Sequence, residues 1–122
     1  MVESAQPVLD DEILERLERL GASVGEDLLG QLIVLFLADA DTHVIDLRRA
    51  VAASMPGDVV RLAHSLSGAS ANLGASNLAL MCTGLETAGS VGDLVTGALL
   101  LDALEIELGQ VRAALILRIP TT

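Results

Sequence analysis

The last quarter of the chain, "DLVTGALLLDALEIELGQVRAALILR", constrains the fold most. Leu94, Leu101, Leu104, Leu108, Val111 and Leu115 recur at three-and-four spacing. That is the seam of a helix lying lengthwise against other helices. One helix is therefore expected from about Asp93 to Arg118. A second, thinner stripe at Val95, Leu99, Ile106, Ala113 and Leu117 falls on roughly the opposite side of the wheel. A helix apolar on two sides is ordinarily buried on both. Wide burial is the expectation here, and a face for weak homodimerisation is the alternative.

The rest of the chain supplies partners for that helix. Residues 1–8 read as a flexible arm. "DDEILERLERLG" reads as a short helix with acids where the helix dipole favours them and Gly21 just past its end. A long helix is expected from about Glu26 to Ala53. Pro56 and Asp58 mark the start of a third, from about Gly57 to Leu73. Gly74 ends that helix, and Ser76 or Asn77 is expected to cap a fourth reaching about Ala88. "GSVGD" is a glycine loop. Short breaks between long helices favour antiparallel neighbours. The expected fold is all-α: an antiparallel up-down four-helix bundle with a short extra N-terminal helix, over residues 9–118, followed by a tail at 119–122.

Composition narrows the partners. One Phe and no Trp or Tyr leave the core to Leu, Val, Ile and Ala. A formal charge of −10 argues against nucleic acid and anionic membranes, which it repels. The lone Cys82 excludes an internal disulfide and a cysteine-rich zinc site. No uninterrupted apolar run approaches the ~20 residues of a membrane span, and the N-terminus lacks the basic start and apolar stretch of a signal peptide. A cytoplasmic protein with no membrane insertion is expected.

The third helix carries an anomaly, "RLAHSLSGASANLGA". At about 100° per residue, Val59, Leu62, Ala63, Leu66, Ala69, Ser70 and Leu73 gather on one buried face. His64 lies about 160° from its centre and points to solvent. The outer surface beside it is small rather than charged: Val60, Ser67, Gly68 and Ala71, with Arg61 to one side. Glycine inside a helix costs roughly 1 kcal/mol relative to alanine. Gly68, one turn after His64, removes the side chain that would lean over the imidazole and opens the approach to it.

"AHSLSGASANLGASNLALMCTGLE" resembles the signature of histidine-containing phosphotransfer (HPt) domains, the four-helix modules of two-component phosphorelays. The family pattern H-x-L-K-G-S/A-S-x-x-L-G, then C-x-x-L-E on the next helix, is met at His64, Leu66, Gly68, Ala69, Ser70, Leu73, Gly74, Cys82, Leu85 and Glu86. The resemblance extends over roughly residues 8 to 117. It implies that His64 accepts a phosphoryl group, on Nε2, from a receiver-domain aspartate and passes it to another receiver. Glu86 would accept a hydrogen bond from Nδ1 and fix the ring. Partners would be receiver domains of response regulators or hybrid histidine kinases. Mg²⁺ would belong to the receiver, leaving this chain without a cofactor of its own and a carrier rather than an enzyme.

One position departs. Ser67 stands where the family usually has lysine, offering a hydrogen bond but no charge. Arg61, one turn back, is the candidate substitute. The alternative function is a degenerate HPt-like bundle that serves only as an interaction or dimerisation module.

The remaining candidates are weaker. His43, between Asp39 and Asp46, reads as a solvated, salt-linked face rather than a metal site, which needs more ligands. Cys82 reads as a small buried hydrophobe rather than a redox group. "GSVGD" lacks the Lys and Ser/Thr of a phosphate loop. Val34 and Ile45, on a common side of the second helix, are candidates for an apolar docking patch beside His64.

Overall fold

The computed structural model describes residues 7–119. They form five helices: α1 (Asp11–Ser23), α2 (Leu28–Ala52), α3 (Pro56–Asn72), α4 (Ser76–Ser90) and α5 (Leu94–Ile116). Helices α2 to α5 close a ring in which each packs on the next and α5 returns to α2. α3 and α5 occupy opposite corners, and α1 lies against α2. This is the expected all-helical bundle with an extra N-terminal helix. The arm expected over residues 1–8 and the tail expected over 119–122 lie largely outside the described residues. Within the described part, Val8 and Ile119 pack against the core.

Side-chain caps start three helices. Asp10 accepts the Glu12 N–H at 3.0 Å, Asp27 the Gly30 N–H at 3.0 Å, and Asp93 the Thr96 N–H at 3.1 Å. Each satisfies a first-turn donor that has no partner inside its helix. Pro56 opens α3, where its missing N–H removes no helical bond. Neither Ser76 nor Asn77 caps α4. The N-cap is Ala75, without a side-chain bond, and it is fully buried. Packing under the bundle end has displaced capping there.

Gly21 also differs from expectation. α1 runs past it to Ser23. A Cβ on Gly21 would lie 2.6 Å from the Glu26 carbonyl oxygen and 2.9 Å from the Leu28 nitrogen. Glycine is needed there for close approach of the chain entering α2, not for termination.

Leucine dominates the core: Leu14, Leu29, Leu47, Leu66, Leu78, Leu85, Leu101, Leu104 and Leu115 are all fully buried, with Ile33, Val59 and Val111. The single Phe36 and Cys82 join them. The α5 seam is buried at Leu101, Leu104, Leu108, Val111 and Leu115, and partly at Leu94.

The second stripe of α5 is not buried. Val95 is 78% exposed, Leu99 66%, Ile106 68% and Leu117 85%, and Ala113 is exposed with them. α5 sits at a corner of the ring and packs mainly on α4 and α2, so its outer half faces away from the bundle. α2 is long and apolar enough, by length and composition, to cross a membrane. Its run is broken only by sparse charges, which a count of uninterrupted apolar residues passes over. Here Leu29, Ile33, Phe36, Leu37, Ala40, Leu47 and Ala50 place one side of it in the bundle core.

Candidate functional site

The α3–α4 hairpin is the most extensive helix pairing in the protein, and it carries every residue of the motif. Its turn is Leu73, Gly74 and Ala75. Gly74 has φ +75°, a left-handed conformation that glycine adopts without strain. The Ala75 N–H donates to the Ser70 carbonyl at 2.9 Å, and the Asp10 N–H donates to the Gly74 carbonyl at 2.8 Å. Ser70 is buried, with its hydroxyl donating to the Leu66 carbonyl at 2.7 Å.

This turn sets two helices antiparallel, so residues equally distant from Ala75 face each other. His64 and Glu86 are one such pair. The His64 side chain is 77% exposed and the Glu86 side chain 30%. Nδ1 of His64 lies 3.3 Å from both carboxylate oxygens of Glu86. A carboxylate can only accept, so the proton of this contact sits on Nδ1. The lone pair of a neutral ring is then on Nε2, the nitrogen Glu86 does not hold. An imidazole with its acceptor nitrogen outward and its other nitrogen held by an acid is a positioned nucleophile.

Ser67 faces Thr83 across the same hairpin. The hydroxyls of both donate to the Ala79 carbonyl at 3.1 Å and lie 3.3 Å from each other. Ser67 is thus a tether between α3 and α4 rather than a free donor beside His64. Sequence reasoning missed Thr83, although its mirror position across the turn would have pointed to it. The chain has no lysine at all. Arg61, the candidate substitute, pairs with Asp58 at 3.3 Å, back toward the start of α3.

Gly68 is exposed, and a Cβ there would meet nothing within 4 Å. Gly89 on α4 is the contrast. Its Cβ would lie 3.1 Å from methyls of Val59 and Val60 and 3.3 Å from the Pro56 carbonyl. Internal packing requires glycine at position 89 and not at position 68.

His43 is not linked to a carboxylate. Its Nδ1 donates to the Asp39 backbone carbonyl at 2.7 Å, and its Nε2 lies 3.2 Å from the Ser65 hydroxyl. Asp46 lies 3.8 Å from Arg49 instead. α2 therefore reaches α3 through a His–Ser contact immediately after His64. Among the described residues, no three His, Cys, Asp or Glu side chains gather as a metal site needs. Cys82 is fully buried, and burial pushes its thiol up to about 12. It is a neutral core group.

Val34 and Ile45 are exposed, but they do not flank His64. Ile45 borders the α2–α5 groove beside Glu105 and Arg112, and Val34 borders a cleft with Ile119. Elsewhere around α2, Leu32, Leu35, Phe36 and Asp39 form a mainly apolar groove with Ala69, Asn72 and Leu73 of α3. That groove begins beside Gly68, and Leu35 within it is 62% exposed. The wheel of α2 alone did not reveal which of its sides meets α3.

The sequence model of the Hpt domain family matches residues 31–114. No curated protein matches the chain. Among solved structures, the chain is similar to histidine-containing phosphotransfer protein B (HptB) from Pseudomonas aeruginosa PAO1. The TM-score is 0.84 at 28% identity, covering 93% of this chain and 96% of that one. The family match spans more than half the sequence and includes both members of the His64–Glu86 pair. The chain therefore belongs to the Hpt domain family and is a histidine phosphotransfer module of phosphorelay signalling.

Proposed function

We propose that His64 is the phosphoryl acceptor and donor of this module. Its Nε2 lone pair attacks the phosphorus of a receiver's aspartyl phosphate. The N–P bond forms as the P–O bond to the aspartate breaks, and the carboxylate leaves as an anion. Nδ1 keeps its proton throughout, so the ring gains positive character, which the Glu86 carboxylate stabilises. The reverse exchange loads the next receiver. The observation that carries this reading is the His64–Glu86 contact at 3.3 Å, with the imidazole standing clear of the bundle.

Gly68 keeps the approach open to the receiver's backbone, and the groove at Leu35, Ala69 and Asn72 gives an apolar seat next to it. Mg²⁺ belongs to the receiver, and the chain acts as a carrier without a cofactor of its own, in the cytoplasm. A phosphorylated receiver supplied with labelled phosphate tests the assignment. The expected product is acid-labile and alkali-stable and disappears in His64→Gln. Ser67 and Arg61 are both engaged elsewhere in the unphosphorylated protein. That favours slower transfer than a lysine at position 67 would support. No label from any receiver would leave the chain as an interaction module.

A further inference from the structure

We propose that the outer face of α5 pairs with the same face of a second copy of this chain, as an antiparallel two-fold dimer centred on Ile106. The exposed stripe is Val95, Leu99, Ile106, Ala113 and Leu117. Counted from Ile106, these positions stand eleven and seven residues before it and seven and eleven after it. At 100° per residue each of the outer four lies about 20° from Ile106 around the helix. The band is therefore straight, and it runs about 33 Å.

Its placement reads the same from either end. That is what a surface needs to meet its own copy across a two-fold axis. Ile106 faces itself, Leu99 faces the partner's Ala113, and Val95 faces the partner's Leu117. The positions between obey the same symmetry. Asp102, which accepts from the Arg48 guanidinium of its own copy at 2.6 Å, and Gln110 are equally distant from Ile106 and form polar edges to the band. Ala103 and Gly109 are likewise equidistant, and both are small.

Gly109 is an independent observation. It is exposed within α5, and a Cβ there would meet nothing within 4 Å. Such a glycine costs roughly 1 kcal/mol relative to alanine, and nothing within the protein requires it. Gly109 stands at the edge of the band, bordering the α2–α5 groove with Ile45 and Arg112, and a second helix reaching over that edge would use the space.

Covering the band on both copies removes roughly 1,000 Å² from water, the threshold of a specific interface. Each copy carries −10, so like charges oppose the pairing and it is weak. Salt screens that repulsion, and association strengthens as salt rises. A basic partner helix on the same stripe would show the opposite dependence. α5 stands across the ring from α3, so the paired form leaves both copies of His64 free.

Sedimentation equilibrium over a wide concentration range tests the pairing. The expected mass climbs from monomer toward dimer, and climbs sooner at high salt. Ile106→Glu remains monomeric, while Leu20→Glu on α1 behaves as wild type, with helicity checked for both. Register is read by cross-linking with oxidised glutathione, to which buried Cys82 is inert. Ile106→Cys gives a covalent dimer by itself. Leu99→Cys gives one only when mixed with Ala113→Cys. A monomer at every concentration and salt overturns the proposal, as does dimerisation that survives Ile106→Glu. Self-linking of Leu99→Cys as fast as that of Ile106→Cys overturns the antiparallel register. Phosphoryl uptake by Ile106→Glu is read separately and bears on the phosphotransfer assignment alone.

Discussion

Nδ1 of His64 and the Glu86 carboxylate are 3.3 Å apart across the α3–α4 hairpin. On the proposed assignment Glu86 acts on the ring through Nδ1, the nitrogen that does not bond phosphorus. Glu86→Gln keeps an acceptor but loses the charge that steadies the ring as phosphorus bonds to Nε2. Phosphoryl transfer from a loaded receiver should slow roughly tenfold, equivalent to about 1.4 kcal/mol in the barrier. Receiver affinity should stay unchanged. Rapid-quench kinetics at varied receiver concentration separates the two, and a change in affinity alone would assign Glu86 to docking.

Two glycine-to-alanine variants should move stability in opposite directions. Gly68→Ala meets open space, so the helix gains, by about 1 kcal/mol. Gly89→Ala presses on Val59, Val60 and the Pro56 carbonyl, so it loses about 1 kcal/mol or more. Urea unfolding reads both. The stabilised Gly68→Ala should nonetheless accept phosphate more slowly, because its methyl stands where the receiver approaches. Equal or faster transfer would remove the access role from Gly68.

Ser67→Lys should accelerate transfer, restoring the cation beside the phosphoryl group, and should weaken the α3–α4 contact by roughly 1 kcal/mol through loss of the Ser67–Ala79 hydrogen bond. Arg61→Ala tests whether the guanidinium leaves Asp58 during transfer. A slower rate in this variant gives Arg61 that part, and an unchanged rate leaves it as the partner of Asp58.

Alkaline stability should depend on Cys82. Burial holds its folded-state thiol near 12, above the ordinary 9.0. The unfolded chain therefore loses that proton first as pH rises. The stabilisation is complete below about pH 9 and declines from there as pH climbs toward 12. Urea midpoints measured on either side of pH 9 should fall more steeply for wild type than for Cys82→Ala. Thiol reagents should modify Cys82 only as fast as the protein opens.

The hairpin was legible in the sequence because His64, Gly68 and Gly74 each break a local rule, and local rules are what a wheel reports. The seam of α5 was legible because it keeps such a rule, the three-and-four period, over its whole length. Neighbours across the bundle were not. Ser67 was read as a donor toward phosphate because a wheel cannot show that Ala79 and Thr83 face it. Val34 and Ile45 were placed beside His64 because one helix does not disclose which of its sides meets α3. The outer stripe of α5 reads as interior because apolar residues are ordinarily buried, whereas a corner helix packs mainly on two others. These departures lie in relations between helices, whereas within single helices only end details differ, at Gly21 and at the start of α4.

The turn at Gly74 acts as a gauge block for the whole site. It fixes how far α4 is rotated about its own axis when it passes His64. One residue added between Leu73 and Ser76 would turn α4 by about 100°, swinging Glu86 off the imidazole and Thr83 off Ser67 together. The gauge is itself clamped from outside the hairpin. The Asp10 N–H holds the Gly74 carbonyl, and a Cβ on Gly74 would come within 3.0 Å of the Asp10 carbonyl oxygen. The lead-in to α1, which contributes no side chain to the site, therefore sets the angle at which its acid meets its histidine.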